Sequence, residues 1–273
     1  MSEKKIAVLG LGFSGLYAAK AAKDAGCEVT VYSYCKNFNL LSDFWLSWIP
    51  EDVAETVLPV PIKLIPIGKE SNYLKLKWGR VPTRAESFKS DFPNEEKTVM
   101  GYEPYRVYAA MYPEKVEYRF EMFSSEEVNA LTKIYDHVFQ TFPSEDSYNV
   151  QNPLLPYILG IIQDDKDVDF ENDKVWYNGS DLGYVAIRSN LWGNSYFKFP
   201  MNLPLSEIVR VMPDNFLNRM EFLNRIELNQ FTRIYQPPAS TPDNLHFIGK
   251  WAEWNPYRRF DQIYEIVKGI LNE

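Results

Sequence analysis

The sequence predicts an α/β fold in which both chain ends build one parallel sheet and the middle forms an inserted, mostly β (α+β) region. Three observations predict it. The chain opens with a strand–glycine–helix–strand pattern over 5–34. It closes with a second strand–glycine–helix pattern over 244–271. Between them lie short alternating stretches broken by proline and glycine. The expected boundaries are 1–60 and 230–273 for the sheet-and-helix domain and 61–229 for the insertion.

The opening pattern is the most specific. Ile6-Ala7-Val8-Leu9 is an unbroken apolar run, as a strand buried on both faces requires. Gly10-Leu11-Gly12-Phe13-Ser14-Gly15 follows as G-x-G-x-x-G. In that spacing Gly10 allows the tight turn, Gly12 lets backbone approach a diphosphate, and Gly15 lets the helix pack closely on the strand. From Ser14 to Ala25 the pattern is helical, with Leu16, Ala19 and Ala22 on one face. Gly26 ends the helix, and Glu28-Val29-Thr30-Val31-Tyr32 supplies the second strand. Placed between strand and helix, the motif reads as a Rossmann-like dinucleotide site whose helix N-terminus points its N–H groups at a diphosphate. Gly10, Gly12, Phe13, Ser14 and Gly15 are its candidate residues. The second strand ends in Ser33, where such units usually place an acid. Ser33 and Lys36 are assigned to the adenosine ribose. Lys36 also keeps open a 2′-phosphorylated nicotinamide cofactor.

Composition bounds the rest. The 273 residues suffice for one large domain or two interleaved ones. Apolar residues make 45% and aromatics 15%, ample for a core; the aromatic excess is more commonly packing than the lining of a site for a flat ligand. A net charge of −8 excludes bulk, nonspecific nucleic-acid binding and leaves nucleic acid only as a specific substrate. Two cysteines, Cys27 and Cys35, and two histidines, His137 and His246, make no zinc set, so no metal is expected. No apolar run is long enough to span a membrane, and no apolar leader precedes the first strand. The expectation is a reduced, soluble, cytoplasmic protein.

The middle is read more coarsely. Residues 41–53 suggest a loop or broken helix. Residues 62–79 alternate on both sides of Gly68-Lys69-Glu70-Ser71-Asn72 and predict a β-hairpin. Its Lys63, Lys75 and Lys77 would face solvent or form a basic strip for an anionic substrate. Residues 80–120 show no clean period. Residues 124–142 predict a helix with a Ser124–Glu127 capping box and an apolar face of Val128, Leu131, Tyr135, Val138, Phe139 and Phe142. His137 lies beside that face in a structural role. Residues 151–162 are apolar and broken by proline, and 174–200 read as strands of a substrate-facing sheet.

At the far end, Leu245-His246-Phe247-Ile248 predicts a short buried strand, followed by Gly249. A helix starts near Arg259, with Ile263, Ile266/Val267 and Ile270 on one face. Both end units would present their loops at the same carboxyl edge of the sheet. No second G-x-G-x-x-G occurs, so a separate second dinucleotide domain is not expected.

These two ends resemble the two-dinucleotide-binding-fold flavoproteins, the amine oxidase and UDP-galactopyranose mutase group. Gly249-Lys250 is similar to that group's late Gly-Arg pair. The "WAEWNPYRRFDQI" after it is similar to the mutase-type aromatic, acidic and Asp-Gln pattern. The resemblance implies FAD as cofactor, Gly249, Lys250 and Trp251 on the flavin side of the diphosphate, and Phe260, Asp261 and Gln262 near the flavin ring. A second resemblance is to small phage-encoded flavoproteins, carried by Tyr73, Lys75 or Lys77, Trp78 and Gly79 and by Arg188 to Gly193. It implies oxidoreductase or lyase chemistry, with thymine hypermodification in a phage as one setting and the host cytoplasm as its place.

The resulting reading is an FAD-dependent oxidoreductase or lyase acting on a C–N or C–O bond of a small anionic or nucleotide-linked substrate. Arg188, Tyr257 and Arg258 are the candidate catalytic residues, with arginine forks suited to an anion. Trp254, Trp78 and Tyr73 are the candidate substrate contacts. A non-redox flavin mutase of a sugar nucleotide and a non-catalytic nucleotide-binding protein are the alternatives.

Overall fold

The computed structural model describes residues 3–33, 45–78, 91–119, 123–142, 157–162, 173–180, 186–189, 195–200, 220–222, 241–249, 252–253 and 258–273. Elements are numbered in chain order. One sheet has five strands: β1 (Lys5–Leu9), β2 (Glu28–Ser33), β5 (Val116–Tyr118), β6 (His137–Gln140) and β12 (Leu245–Phe247). Their order is β12-β6-β1-β2-β5, and every neighbouring pair is parallel. Both chain ends therefore enter one parallel sheet, with their carboxyl ends on one edge.

β1 is buried along Ile6–Leu9, as its apolar run requires. The sheet is covered on both faces. Ile6, Val8, Val31 and Phe139 join the core built with α1 (Phe13–Asp24) and α6 (Phe260–Asn272). Ala7, Leu9 and Val138 pack on the other side with Phe123 and Val128. In α1, Leu16, Ala19 and Ala22 are buried, as their spacing predicts. Gly26 closes this helix at φ +76. Its N–H bonds Lys23 O (2.9 Å) and the Cys27 N–H bonds Ala22 O (3.1 Å), the two hydrogen bonds of a Schellman turn. In α6, Ile263 and Val267 are buried and Ile266 and Ile270 pack against the core, on the face the sequence indicates.

A charged network joins the helices on this side. Lys20 Nζ meets Asp24 (2.5 Å) and Asp52 (2.7 Å). Asp52 lies in α2 (Glu51–Ala54). The Tyr264 hydroxyl of α6 donates to Asp24 (2.6 Å). The Tyr17 hydroxyl donates to Trp48 O (2.8 Å), so the 41–53 region is tied down by α1 where it is described.

Among the described residues, the second sheet has seven strands in the order β11-β7-β10-β9-β8-β3-β4. They are β3 (Val60–Gly68), β4 (Lys97–Gly101), β7 (Tyr157–Ile162), β8 (Asp173–Gly179), β9 (Ala186–Ser189), β10 (Ser195–Pro200) and β11 (Met220–Phe222). Only β3–β8 is parallel; the other pairs are antiparallel. Among the described residues the fold is thus mixed α/β, with one parallel and one mixed sheet.

Three expectations are corrected. The hairpin over 62–79 is a strand followed by a helix, α3 (Glu70–Trp78). Gly68 turns out of β3 at φ +74, and Lys69 N donates to Gly179 O (3.0 Å). Lys69 O then accepts the N–H groups of Asn72 and Tyr73, which starts the helix. Tyr73-Leu74 buried beside exposed Lys75 is helical spacing, and the run "YLKLKW" fits either period. Lys63 is paired with Glu96 (2.6 Å), so it is no free member of a basic strip.

The helix over 124–142 stops at Leu131 as α5 (Ser125–Leu131), and its second half is β6. The capping box forms as expected, with Ser124 N donating to Glu127 Oε2 (2.9 Å) and Glu127 N to Ser124 Oγ (3.3 Å). A turn then docks on β1: Asp136 N donates to Lys5 O (2.8 Å) and Lys5 N to Asp136 Oδ2 (2.7 Å). Val138 and Phe139 bury on opposite faces, so their apolar run serves a two-sided strand. β5 and β6 come from 61–229 but belong to the parallel sheet, because β6 supplies the ladder that joins β1 to β12.

The 80–120 stretch, read as aperiodic, contains β4, α4 (Pro104–Ala110) and β5 where it is described. β12 is an edge strand and only half-buried; the buried residue is Ile248 behind it. His137 and His246 meet across β6 and β12, Nδ1 to Nε2 at 3.0 Å. Burial depresses the pKa of both, with Lys4 adding to the effect at His137 and His137 adding to it at His246. Among the described residues no helix is long and apolar enough to cross a membrane, and no three His, Cys, Asp or Glu cluster as metal ligands.

Candidate functional site

The loop between β1 and α1 carries three glycines with three different physical reasons. Gly10 sits at φ +102 and donates its N–H to Tyr32 O (2.8 Å). A Cβ there would overlap Thr141 Oγ1. Thr141 itself is fixed, its hydroxyl and its N–H both donating to Leu9 O (2.8 and 3.0 Å). A Cβ on Gly15 would lie 2.9 Å from the Gly10 carbonyl carbon, so Gly15 permits the helix to approach the strand. These two glycines are required by the protein's own packing.

Gly12 is not. Its φ of −73° suits any residue, it is exposed, and a Cβ there would meet nothing within 4 Å. Neither backbone strain nor neighbours call for glycine. What glycine does leave is clear space in front of the α1 N-terminus. No side chain caps that terminus at Gly12, and no acidic residue occupies its first turn. An anion laid against Gly12 would meet the positive end of the helix dipole. The cradle fits a diphosphate: a Cβ at position 12 would fill the approach that the group needs.

The second loop meets the first. Gly249 follows β12 at φ +101, and a Cβ there would lie 2.7 Å from Ser14 Cβ. Its N–H donates to Glu253 Oε2 (2.9 Å) and its carbonyl accepts the Glu253 N–H (3.0 Å). Arg258 donates from Nε to Glu253 Oε2 (2.7 Å) and from Nη2 to Oε1 (2.6 Å), a fork that raises the Arg258 pKa further. Arg258 is therefore engaged within the protein.

Of the residues expected near the flavin ring, Phe260 stacks on Tyr17 (centroids 5.0 Å apart) and leans on Phe13 (5.5 Å). Asp261 pairs with Arg259 (2.6 Å), and Gln262 Oε1 accepts the Arg259 N–H (3.1 Å), so these two secure the start of α6. Ser33, at the end of β2, is buried, and its carbonyl accepts the Arg119 N–H (2.8 Å). The Arg119 guanidinium lies 3.9 Å over the Phe123 ring and pairs with Glu127 (2.5 Å). The backbone of Arg119 thus closes the end of β2, while its guanidinium is engaged with Phe123 and Glu127.

Tyr73 is in the core, 2% exposed, with its hydroxyl donating to Asp91 (2.7 Å). Tyr73 therefore packs among core residues in this structure. Arg188 lies on β9, paired with Val175 and Tyr196 in the middle of the mixed sheet, and Trp78 ends α3. The side chains of Arg188, Trp78 and Lys77 lie outside the described set. So do Cys35, Lys36, Gly79, Gly193, Lys250, Trp251, Trp254 and Tyr257. Thr141, Arg119 and Glu253 are the residues that sequence reasoning missed. The one available signal was the i, i+4 spacing of Gly249 and Glu253.

No protein-family model and no curated protein matches the sequence. Solved structures do. CtdE in complex with FAD is 10% identical at a TM-score of 0.48, covering 99% of this chain and 84% of that one. A point variant of Klebsiella pneumoniae HpxO complexed with FAD is 13% identical at 0.46, covering 99% and 81%. The tetracycline destructase Tet(51) is 12% identical at 0.44, covering 99% and 88%. At this distance the likenesses assign neither cofactor nor activity to this chain.

Proposed function

We propose that this chain is an FAD-dependent oxidoreductase whose dinucleotide site is built by both chain ends. The observation that carries the reading is Gly12. It is the one glycine of the motif that the protein's own structure does not require, and it opens the helix N-terminus to an anion. Gly10, Gly12, Phe13, Ser14 and Gly15 would hold the diphosphate, and Ser33 would lie near the adenosine ribose. Gly249, with Lys250 and Trp251, would bound the flavin side. Phe260, Asp261 and Gln262 would set the start of α6 beside it.

When bound, the flavin supplies hydride or electron transfer, and the protein supplies position and field. The backbone N–H groups at the start of α1 orient the diphosphate. The packed Phe13–Tyr17–Phe260 rings would support the loop from beneath. For the substrate we propose a small anionic or nucleotide-linked molecule oxidised at a C–N or C–O bond. Arg188, Trp254 and Tyr257 are the groups proposed to face it, and support for them comes from residue chemistry alone. The test is FAD titration of the purified chain, followed by a screen of amino acids and nucleotide-linked amines for bleaching of the flavin band. Saturable FAD binding and one bleaching substrate support the reading; no FAD uptake removes it.

A further inference from the structure

Glu253 lies between β12 and α6. Its backbone N–H donates to Gly249 O (3.0 Å), and its carboxylate accepts the Gly249 N–H (2.9 Å). Both polar groups of the Gly249 backbone are thus bonded to one residue four positions on. The same carboxylate takes the Arg258 fork at 2.7 and 2.6 Å. The Glu253 and Arg258 side chains are only 19% and 21% exposed, so three donors converge on one largely covered carboxylate.

These donors, an amide beside a sharp turn and a guanidinium, are ones an incoming diphosphate could also use. Two roles for Glu253 follow. It could stand in for the anion and leave when the anion arrives, or it could be a permanent support. The geometry favours the second. Withdrawing the bidentate carboxylate would break the Gly249 bond and both arms of the Arg258 fork at once and leave a partly covered guanidinium unpaired.

We propose that Glu253 is a positioning residue for the cofactor site. It fixes the Gly249 turn against Ser14 and holds Arg258 as a strut, so the second loop shapes the site without giving Gly249 N–H or Arg258 to the ligand. This moves Arg258 from anion capture to support. The consequence for binding rests on the FAD reading; the clasp itself does not.

The test uses the full chain with Glu253→Ala and Glu253→Gln. One readout is the FAD Kd from fluorescence quenching. The other is hydrogen exchange of the Gly249 amide in the cofactor-free protein. Glu253→Ala should raise the Kd about tenfold or more, the scale of a lost hydrogen bond to a charged group, and should speed exchange at Gly249. Glu253→Gln keeps an oxygen for the Gly249 N–H and should restore part of both. Unchanged exchange or an unchanged Kd in Glu253→Ala overturns the proposal. Tighter FAD binding also overturns it and makes the carboxylate a competitor. If wild type takes up no FAD, the flavin reading fails and exchange alone decides the clasp. Should Glu253→Ala not fold, the double variant Glu253→Ala/Arg258→Gln leaves no unpaired charge, still removes the oxygen from the Gly249 N–H, and is read in the same way.

Discussion

Gly249 stands directly against Ser14: a Cβ at position 249 would lie 2.7 Å from the Ser14 Cβ. The two residues are 235 positions apart, and β6 lies between β1 and β12 in the parallel sheet. Their meeting brings the two glycine loops together at one edge. Gly249→Ala meets both a left-handed φ of +101° and this contact. It should lower unfolding free energy by about 1–3 kcal/mol, the range for a strained non-glycine residue. Urea denaturation measures it. Ser14→Gly in the Gly249→Ala background should recover the contact part and leave the φ part. Equal stability of Gly249→Ala and wild type would show that the turn tolerates a side chain.

The motif glycines should separate by role. Gly12→Val should melt close to wild type, because nothing surrounds its Cβ, yet lose FAD. Gly15→Ala should melt lower, because its Cβ falls on the Gly10 carbonyl. Paired thermal melts and FAD titrations check this. Gly12→Val unfolding as badly as Gly15→Ala would make the motif purely structural.

The histidine pair sets an acid limit on stability. Burial lowers both pKa values below the ordinary histidine range, so the unfolded chain takes up protons that the folded pair refuses. Stability is then complete above the unfolded pKa, about 6.5, and falls as pH drops below it. The groups acting on the pair are Lys4, which opposes its protonation, and Asp136, which favours it. β12 is the edge strand and leads to Gly249, so FAD retention should fall in the same window. Unfolding free energies between pH 7.5 and 5.5, in wild type and His246→Gln, give the comparison. The variant should show the shallower slope; identical slopes would assign the acid sensitivity elsewhere.

The N-cap of α5 offers a local check. Ser124→Ala removes the oxygen that accepts the Glu127 N–H and should cost about 1 kcal/mol in urea. A cost near zero would mean that Glu127 Oε2 on the Ser124 N–H suffices alone.

What the sequence made legible follows from where the information sits. The β1–α1–β2 unit was readable because the structural jobs of Gly10 and Gly15 are fixed by spacing within six residues. The Ser124–Glu127 box was readable for the same reason. β6 was not, because "HVF" fits a helical stripe and a two-sided strand equally, and its partners β1 and β12 lie more than a hundred residues away. α3 was misread because Tyr73-Leu74-Lys75 carries both periods. Glu253 escaped because its roles depend on a turn that returns its side chain to Gly249, and on Arg258 folding back across it. Thr141 gained meaning only once β6 stood beside β1.

The most direct test of the central claim is FAD binding by wild type and Gly12→Val, followed by flavin absorbance after incubation and gel filtration. Wild type should elute with the flavin band, and Gly12→Val should elute folded and colourless. Wild type that elutes colourless, or a Gly12→Val variant that holds as much flavin as wild type, would contradict it.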